Sequence, residues 1–218
     1  MPLKMLITAG PTHEPIDAVR YLANRSSGRM GLALAEAARD AGWTVTLLLG
    51  PVALAPPAGV QTLAFESSAD LARLLEEHFP VCDLLLMVAA VADYRPRQPS
   101  DAKLSRKGDP LLLELEPTPD LVASCAARKR KDQRIIGFAL EEPTVLEERA
   151  LDKLRRKELD AIVANPLATM GSADVNATIY TPGEKSAEAS TSASASISGT
   201  KSDFARRLIA WIDAQWYA

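Results

Sequence analysis

The stretch ITAGPTHEPIDAVRYLANRSSGRMG, residues 7–31, connects a predicted strand at residues 3–9 with a predicted helix at residues 30–41. The strand ends at a Gly-Pro pair, and a long polar loop leads from there to the helix. The loop after Gly10 is far too long for the G-x-G-x-x-G dinucleotide fingerprint. A polar connector of this length in a compact domain is usually functional, so we expect ligand binding here.

The residues just before the helix predict an anion site. Free backbone N–H groups and the macrodipole favour negative charge at a helix N-terminus. Ser26 and Ser27 add hydroxyl donors, and Gly28 allows a close approach of the backbone. An ordinary connector with serine as the helix cap is the alternative.

Strand-like and helical patterns alternate along the rest of the chain. We predict strands at residues 44–49, 84–91, 111–115, 134–140, 161–164 and 177–181, and helices at 69–78, 119–129, 145–157 and 204–216. This alternation indicates βαβ units. We therefore expect one α/β domain with a Rossmann-like, doubly wound, mostly parallel sheet, helices on both faces and a small β appendage. Ligands should lie outside the carboxyl ends of the strands.

Residues 184–200 are rich in serine and alanine and low in complexity. Their poor apolar content favours a mobile segment. The alternation near residues 194–198 leaves an edge strand as the alternative.

Composition limits the possible functions. The chain has 218 residues, 47% of them hydrophobic, and a net charge of −3. The charge argues against general nucleic-acid binding, and no apolar run is long enough to span a membrane. Cys82 and Cys125 are predicted to be buried, reduced thiols of a cytoplasmic protein. His13 and His78 have no ligand partner at metal spacing, so no protein metal site is expected.

Several motifs in a fixed order resemble the phosphopantothenoylcysteine synthetases, the ligases of coenzyme A biosynthesis. The opening stretch is followed by AAVADYRP (89–96), a basic run that starts at Lys103, PTPDL (117–121), GFALE (137–141) and KLRRKELDAIVANP (153–166). The ordered set covers most of the chain to residue 176 and is far more specific than any single motif. Bacterial members are often fused behind a flavin-dependent decarboxylase. Because this chain begins at the synthetase strand, the resemblance implies a stand-alone form without flavin, with a separate decarboxylase acting on the product.

The resemblance implies a ligase that joins 4′-phosphopantothenate and L-cysteine at the expense of CTP. The pantothenate carboxylate attacks the α-phosphate and expels pyrophosphate, and the cysteine amine then attacks the acyl-cytidylate and releases CMP. Both reactants of the first step are anionic, so cationic groups must stabilise its transition state. Mg²⁺ is expected to bind through the nucleotide phosphates.

The resemblance also assigns roles to residues of this chain. Asn24 and Lys103 are the predicted catalytic residues, and Asn24, Arg20 and Arg95 the predicted substrate contacts. The predicted nucleotide-binding residues are Gly10, Ser26, Ser27, Gly28, Ala89, Ala90, Asp93, Lys103, Pro117, Thr118, Pro119, Asp120, Phe138, Lys153 and Lys157. Lys153 and Lys157 lie four residues apart and therefore project from one helix face. Most of these residues also have a purely structural interpretation as turn, core or surface residues.

Two alternatives to the CTP-dependent ligase remain open at this point. One is an ATP-dependent ligase of the same family, and the other is a Rossmann-like nucleotide-binding module or reductase without ligase activity. Ser105 departs from the family's Lys-x-Lys-Lys pattern, in which a second lysine takes that position. The resemblance further implies a homodimer, and the loop at residues 95–107 is a candidate lid because it is long, bounded by proline and carries Lys103.

Overall fold

Short runs of apolar and β-branched residues form the main sheet, in a computed structural model that describes residues 2–106, 108–183 and 192–217. The strands in chain order are β1 (Lys4–Ala9), β2 (His13–Pro15), β3 (Tyr21–Ala23), β4 (Thr44–Leu49), β5 (Gln61–Ala64), β6 (Leu84–Met87), β7 (Tyr94–Pro96), β8 (Leu115–Pro117), β9 (Arg134–Glu141), β10 (Ala161–Pro166), β11 (Asp174–Thr181) and β12 (Ser192–Thr200). The helices are α1 (Arg29–Asp40), α2 (Ser68–His78), α3 (Leu121–Ala126), α4 (Leu146–Arg156) and α5 (Lys201–Trp216).

Eight strands form one mostly parallel sheet in the order β12-β11-β10-β9-β6-β1-β4-β5. The strands from β10 to β5 run parallel, whereas β11 is antiparallel to both of its neighbours. The strand order reverses between β1 and β6, which is where a doubly wound sheet opens a crevice for ligands. The predicted Rossmann-like α/β fold is confirmed.

The two faces of the sheet carry separate hydrophobic cores. Along β1, Met5 and Ile7 pack on the face that α1 and α5 cover, whereas Leu6 packs on the face of α2, α3 and α4. This follows from the twofold alternation of side chains along a strand. Gly31 allows α1 to approach the sheet closely, since a Cβ atom at this position would lie 2.3 Å from the Cβ atom of Ala9.

Two small antiparallel ribbons, β2–β3 and β7–β8, stand apart from the main sheet. They correspond to the predicted β appendage. The prediction of a strand at residues 111–115 was wrong, because β7 has only three residues and pairs with Leu115–Pro117 alone. Leu112 is 90% exposed instead of contributing to a buried sheet face.

The predictions for two other segments were too long. The apolar run at residues 84–91 forms a strand only to Met87, because the N–H groups of Val88 and Ala89 then donate to the Thr8 hydroxyl. The helix predicted at residues 119–129 is regular only in α3, where the Asp120 carboxylate accepts from the N–H of Ala123 and caps the first turn.

The preference for a mobile segment at residues 184–200 was wrong for residues 192–200, which form β12 along the edge of the sheet. Ile197 is buried beneath α5, and the backbone pairing with β11 compensates for the few apolar side chains. Residues 184–191 lie outside the described part of the chain.

Candidate active site

A cavity of about 760 Å³ lies beyond the carboxyl ends of β1, β6, β9 and β10. The predicted site residues that line it are Gly10, Asn24, Ser26, Ser27, Gly28, Ala89, Ala90, Asp93, Thr118, Pro119, Asp120, Phe138, Lys153 and Lys157. Segments that are far apart in the sequence therefore meet at the switch point of the sheet. This is the position at which an α/β sheet of this kind binds ligands.

Two glycines shape the wall next to α1. Gly10 and Gly28 have φ angles of 83° and 72°, a backbone conformation that favours glycine. A Cβ atom on Gly28 would also lie 2.9 Å from Cγ1 of Val52. Gly28 precedes α1 without a side-chain cap, so the alternative in which a serine caps this helix is wrong. The first N–H groups of α1 consequently remain available to a ligand.

Buried hydroxyl groups fix the backbone that follows β6. The Thr8 Oγ1 atom accepts hydrogen bonds from the N–H groups of Val88 and Ala89, both 3.0 Å long. The Thr12 Oγ1 atom accepts from the N–H of Ala92, also at 3.0 Å. These contacts hold residues 88–92 in an irregular conformation along the cavity wall.

Asn24 reaches this same segment from the loop before α1. Its Nδ2 atom donates to the carbonyl oxygens of Ala90 and Val91 at 3.3 and 3.2 Å. Among the described residues none donates to its Oδ1 atom, which leaves this oxygen free to accept a hydrogen bond from a ligand.

Positive charge lines the side of the cavity formed by α4. The Lys153 ammonium donates to the carbonyl oxygen of Phe138 at 2.6 Å. Burial, together with the charge of Lys157, lowers the pKa of Lys153 to about 8, although Asp120, Glu141 and Asp93 oppose this shift. A lysine in such surroundings gains from a bound anion that restores favourable electrostatics.

Lys157 is compensated by a carboxylate. Its ammonium lies 2.9 Å from Oδ2 of Asp120, whose second oxygen caps α3. Burial opposes ionisation of Asp120, but Lys157, the helix N–H of Ala123 and Arg156 hold its pKa below the usual value. Asp120 therefore joins α3 to α4 at the rim of the cavity.

Lys103, Pro117, Arg20 and Arg95 do not line the cavity in this structure. Lys103 is exposed, and the Arg95 guanidinium pairs with Glu116 at 2.7 Å. The Arg20 guanidinium pairs with the buried Asp17 carboxylate and donates to the carbonyl oxygen of Leu104 at 2.9 Å. Asp17 also accepts from the N–H of Leu104 at 3.0 Å, so it connects the loop after β2 to the segment that carries Lys103.

The cavity contains functional candidates that sequence reasoning missed. Arg25, Arg29, Arg156, Asn165 and Lys201 line it. Asn165 is only 7% exposed, and its Oδ1 atom has no hydrogen-bond partner among the described residues. The sequence did contain a signal for Asn165, because this residue directly follows the apolar run of β10, at the carboxyl end of a parallel strand. No local sequence pattern marks Lys201, because β12 and α5 bring it to the cavity from the far end of the chain.

The described residues also bear on metal and membrane binding. In residues 2–106, 108–183 and 192–217, no three His, Cys, Asp or Glu side chains form a group that could hold a metal ion. Within those residues, no helix is both long and apolar enough to cross a membrane. Cys82 and Cys125 are buried and free, as predicted.

Comparison with known families identifies the domain. The family model described as DFP, the DNA/pantothenate metabolism flavoprotein C-terminal domain, matches residues 2–215. The chain belongs to the DFP family. The resemblance to phosphopantothenoylcysteine synthetases, the C-terminal CoaBC domain, is therefore confirmed at the family level.

Curated relatives place the DFP domain within longer proteins. The chain is 43% identical over 170 residues to the coenzyme A biosynthesis bifunctional protein CoaBC of Vibrio cholerae serotype O1, a match that covers 77% of the chain and 42% of that protein. It is 44% identical over 169 residues to a cysteine/cysteine sulfinic acid decarboxylase of an unknown prokaryotic organism, covering 77% of the chain and 47% of that protein. The chain thus spans less than half the length of these two relatives.

A solved structure matches the DFP fold along nearly its whole length. The crystal structure of the C-terminal domain of the coenzyme A biosynthesis bifunctional protein CoaBC is 36% identical and superposes with a TM-score of 0.78. The match covers 97% of this chain and 94% of that one.

Proposed function

We propose that this DFP domain is a phosphopantothenate–cysteine ligase that uses CTP. The observation that carries the proposal is the cavity itself, where Asn24, Asp93, Lys153 and Lys157 meet at the switch point in a chain of this family. An amide, a carboxylate and two cationic groups are suited to hold a nucleotide beside a second anionic substrate.

In the first step, a carboxylate oxygen of 4′-phosphopantothenate attacks the α-phosphorus of CTP. A new P–O bond forms, the bond to the β-phosphate oxygen breaks, and pyrophosphate leaves. Lys153 and Lys157 offset the charge that accumulates on the phosphate oxygens, and the N–H groups at the start of α1 with Ser26 and Ser27 bind phosphate. Because the protein forms no covalent bond, positioning and electrostatics supply most of the rate enhancement.

In the second step, the cysteine amine attacks the acyl carbon of the cytidylate. The amide bond forms, the bond between the acyl carbon and the phosphate oxygen breaks, CMP leaves with that oxygen, and the proton that the amine loses passes to solvent. The Oδ1 atom of Asn24 can accept from the attacking amine or from the ribose, while its Nδ2 atom stays on the carbonyl oxygens of residues 90 and 91. Asn24 would thereby orient the intermediate between the two steps.

The residues present fit a Mg²⁺ ion that arrives with the nucleotide. Asp93 and Asp120 line the cavity, and the second of these is paired with Lys157. Mg²⁺ is usually held by one or two carboxylates together with substrate phosphates and water, so Asp93 is the residue expected to contact it. When bound, the ion neutralises negative charge on the phosphates.

Lys103 can take part in this reaction only if the loop that carries it moves towards the cavity. The side chain is exposed and outside the cavity lining, and its neighbour Leu104 is held by Asp17 and Arg20. The first two residues of the lid predicted at 95–107 belong to β7. Closure of residues 97–106 over bound substrate would bring Lys103 towards the phosphates, as lids do in other enzymes. Arg20 and Arg95 would then act on substrate indirectly, by shaping the lid.

The remaining partners and location are part of the same proposal. We expect small-molecule substrates, a homodimer, and a cytoplasmic enzyme without bound nucleic acid or membrane. The product would pass to a flavin-dependent decarboxylase. Two buried free thiols agree with a reducing compartment.

The test is a substrate-omission assay on the purified protein. With CTP, 4′-phosphopantothenate and Mg²⁺, we expect pyrophosphate release, and CMP should appear in step with product only when cysteine is added. Replacing CTP by ATP decides the base preference, which we expect to favour CTP. Lys157→Gln should lower the rate at least tenfold, while Lys131→Gln, an exposed lysine outside the cavity, should leave it unchanged. Absence of pyrophosphate with either nucleotide would refute ligase activity.

A further inference from the structure

Two cations line the cavity on the side opposite Lys153 and Lys157. Arg29 comes from α1, and Lys201 comes from α5, which covers the same face of the sheet. The sequence separates them by most of the chain, and they meet because the two helices pack against each other.

Their places in the helices are electrostatically unfavourable in the absence of a ligand. Arg29 is the first residue of α1, and Lys201 is the first residue of α5. The positive end of a helix macrodipole repels a cation, and here two such ends each carry one. Burial and the charge of Arg29 also lower the pKa of Lys201, which indicates that the two charges disfavour each other.

No described carboxylate forms an ion pair with either cation. The Lys201 ammonium donates only to the carbonyl oxygen of Ser172. On the α4 side, by contrast, Asp120 pairs with Lys157 and lies 3.9 Å from Arg156. The charge on the α1–α5 side therefore has no counterion within the described chain.

A second observation points to a missing ligand in the same cavity. The Asn165 side chain is more than nine-tenths buried, and its Oδ1 atom has no hydrogen-bond partner among the described residues. Buried polar atoms nearly always have a partner, so this unpaired acceptor is expected to receive a hydrogen bond from an N–H or O–H group of a bound molecule, and not from its ionised phosphate.

We propose that Arg29 and Lys201 together bind a phosphate group of a substrate, at a subsite separate from that of Lys153 and Lys157. A phosphate would supply the absent counterion for both side chains and would also favour the two helix ends. The identity of the substrate rests on the proposed function, which offers two sources, the β- and γ-phosphates of the nucleotide and the 4′-phosphate of phosphopantothenate. With the 4′-phosphate as the source, the two cation clusters on opposite faces of the sheet would hold different substrates, and with the nucleotide as the source they would hold different phosphates of one substrate.

Calorimetric titration of the full chain can test this subsite directly. The probes are inorganic pyrophosphate, CTP, CMP, 4′-phosphopantothenate and pantothenate, and the variants are Arg29→Gln, Lys201→Gln and the charge-preserving Lys201→Arg. The matched control is Arg206→Gln, a mostly exposed residue on α5 that pairs with Asp203 outside the cavity. Thermal unfolding of every variant checks that it is folded.

If the phosphate that Arg29 and Lys201 bind belongs to the nucleotide, Arg29→Gln and Lys201→Gln should weaken the binding of pyrophosphate and CTP about tenfold or more. The binding of CMP should change little. If the phosphate is instead the 4′-phosphate of phosphopantothenate, the two variants should lose affinity for 4′-phosphopantothenate to the same extent. Their affinity for pantothenate and for CTP should not change. In either case Lys201→Arg should retain most of the affinity and Arg206→Gln all of it.

The proposal is overturned if both glutamine variants bind every phosphorylated probe as the wild type does, or if the wild type binds none of them. Binding of the phosphorylated probes that depends on Arg29 and Lys201, in a protein without ligase turnover, would uphold the subsite and reject the proposed function alone.

Discussion

At the scale of single residues, Lys153 has the clearest electrostatic signature. Its folded-state pKa of about 8 lies well below the value of about 10.4 expected for an exposed lysine. Between these two pH values the unfolded chain binds more protons than the folded one, so folding stability contributed by this site rises with pH. Below pH 8 the buried charge carries its full cost, so Lys153 lowers the stability of the protein in the absence of a bound anion.

We predict that CTP binding weakens as the pH rises through 8 and takes up protons near that pH. A bound phosphate favours the ammonium form and therefore raises the pKa of Lys153. Calorimetry in two buffers of different ionisation enthalpy measures the proton uptake. In Lys153→Arg the side chain stays charged, so uptake at this site should disappear. Equal uptake in the wild type and this variant would assign the proton to another group.

At the scale of elements, one close contact seats α1 on the sheet. Gly31 faces the backbone of β1, and a Cβ atom there would lie 2.3 Å from Cβ of Ala9 and 3.1 Å from its Cα. We expect Gly31→Ala to reduce the free energy of unfolding by about 1–3 kcal/mol, because a tightly packed interface must shift. Gly108→Ala is the control, since nothing lies within 4 Å of a Cβ atom at that position. Urea unfolding that gave equal midpoints for the two variants would contradict the packing described for α1.

A second contact between elements holds the segment of Lys103. The buried Asp17 carboxylate accepts hydrogen bonds from the Arg20 side chain and from the N–H of Leu104. The Arg20 side chain, together with the backbone N–H groups of Leu104, Val19 and Arg20, keeps the pKa of Asp17 well below the usual range. We predict that Asp17→Asn weakens this attachment and exposes residues 97–106 to proteolysis. Trypsin should cut after Lys103 and Arg106 several-fold faster than in the wild type. In Asp101→Asn, an exposed carboxylate of the same segment, the cleavage rate should not change.

The same attachment has a defined pH dependence. Because the folded pKa of Asp17 is depressed, its stabilising contribution is present above the unfolded value of about 3.9 and is lost as the pH falls below it.

If trypsin cut the Asp17→Asn variant no faster than the wild type, the Asp17 contacts would not restrain residues 97–106.

The element pattern was largely predictable, and the exceptions have physical causes. Alternating apolar and helical periods located β1, α1, β4 and β9 because each buries a regular stripe of side chains. Periodicity could not show where β6 ends, since that depends on the Thr8 hydroxyl, a partner about eighty residues away. Nor could composition find β12, whose stability comes from backbone pairing with β11 and from the cover of α5.

The cavity was predictable only where local motifs carried it. The motifs of the family resemblance assigned Asn24, Lys153 and Lys157 to the site, and the loop before the predicted helix indicated Ser26. Spacing alone showed only that the two lysines share a helix face. Lys201 was not found, because only the packing of α5 on α1 brings it to the cavity. Lys103 illustrates the converse, since it matches the first lysine of the family's pattern while its side chain is exposed outside the cavity lining.

At the scale of the whole molecule, an exposed apolar surface marks the β7–β8 ribbon. Tyr94, Leu111, Leu112, Leu113 and Leu115 are all exposed, with Leu112 at 90%. Contiguous apolar side chains of this kind usually lie at interfaces, and the family resemblance implies a homodimer. The ribbon adjoins the segment of Lys103, so association there would also order the proposed lid.

We predict that Leu112→Asp converts a dimer into a monomer at micromolar concentration, because a charge would be desolvated at the centre of the interface. Analytical ultracentrifugation measures the change, and Val81→Asp is the matched control, since Val81 is exposed in the connection between α2 and β6 and does not line the cavity. If the lid is ordered by the partner copy, the monomer should keep its CTP affinity, which depends on Lys153 and Lys157, and lose turnover.

If the wild type were monomeric, the exposed apolar surface would have no part in the mechanism. A Leu112→Asp variant that stayed dimeric would place the dimer interface elsewhere. An active monomer would mean that each chain orders its own Lys103 segment through Asp17 alone.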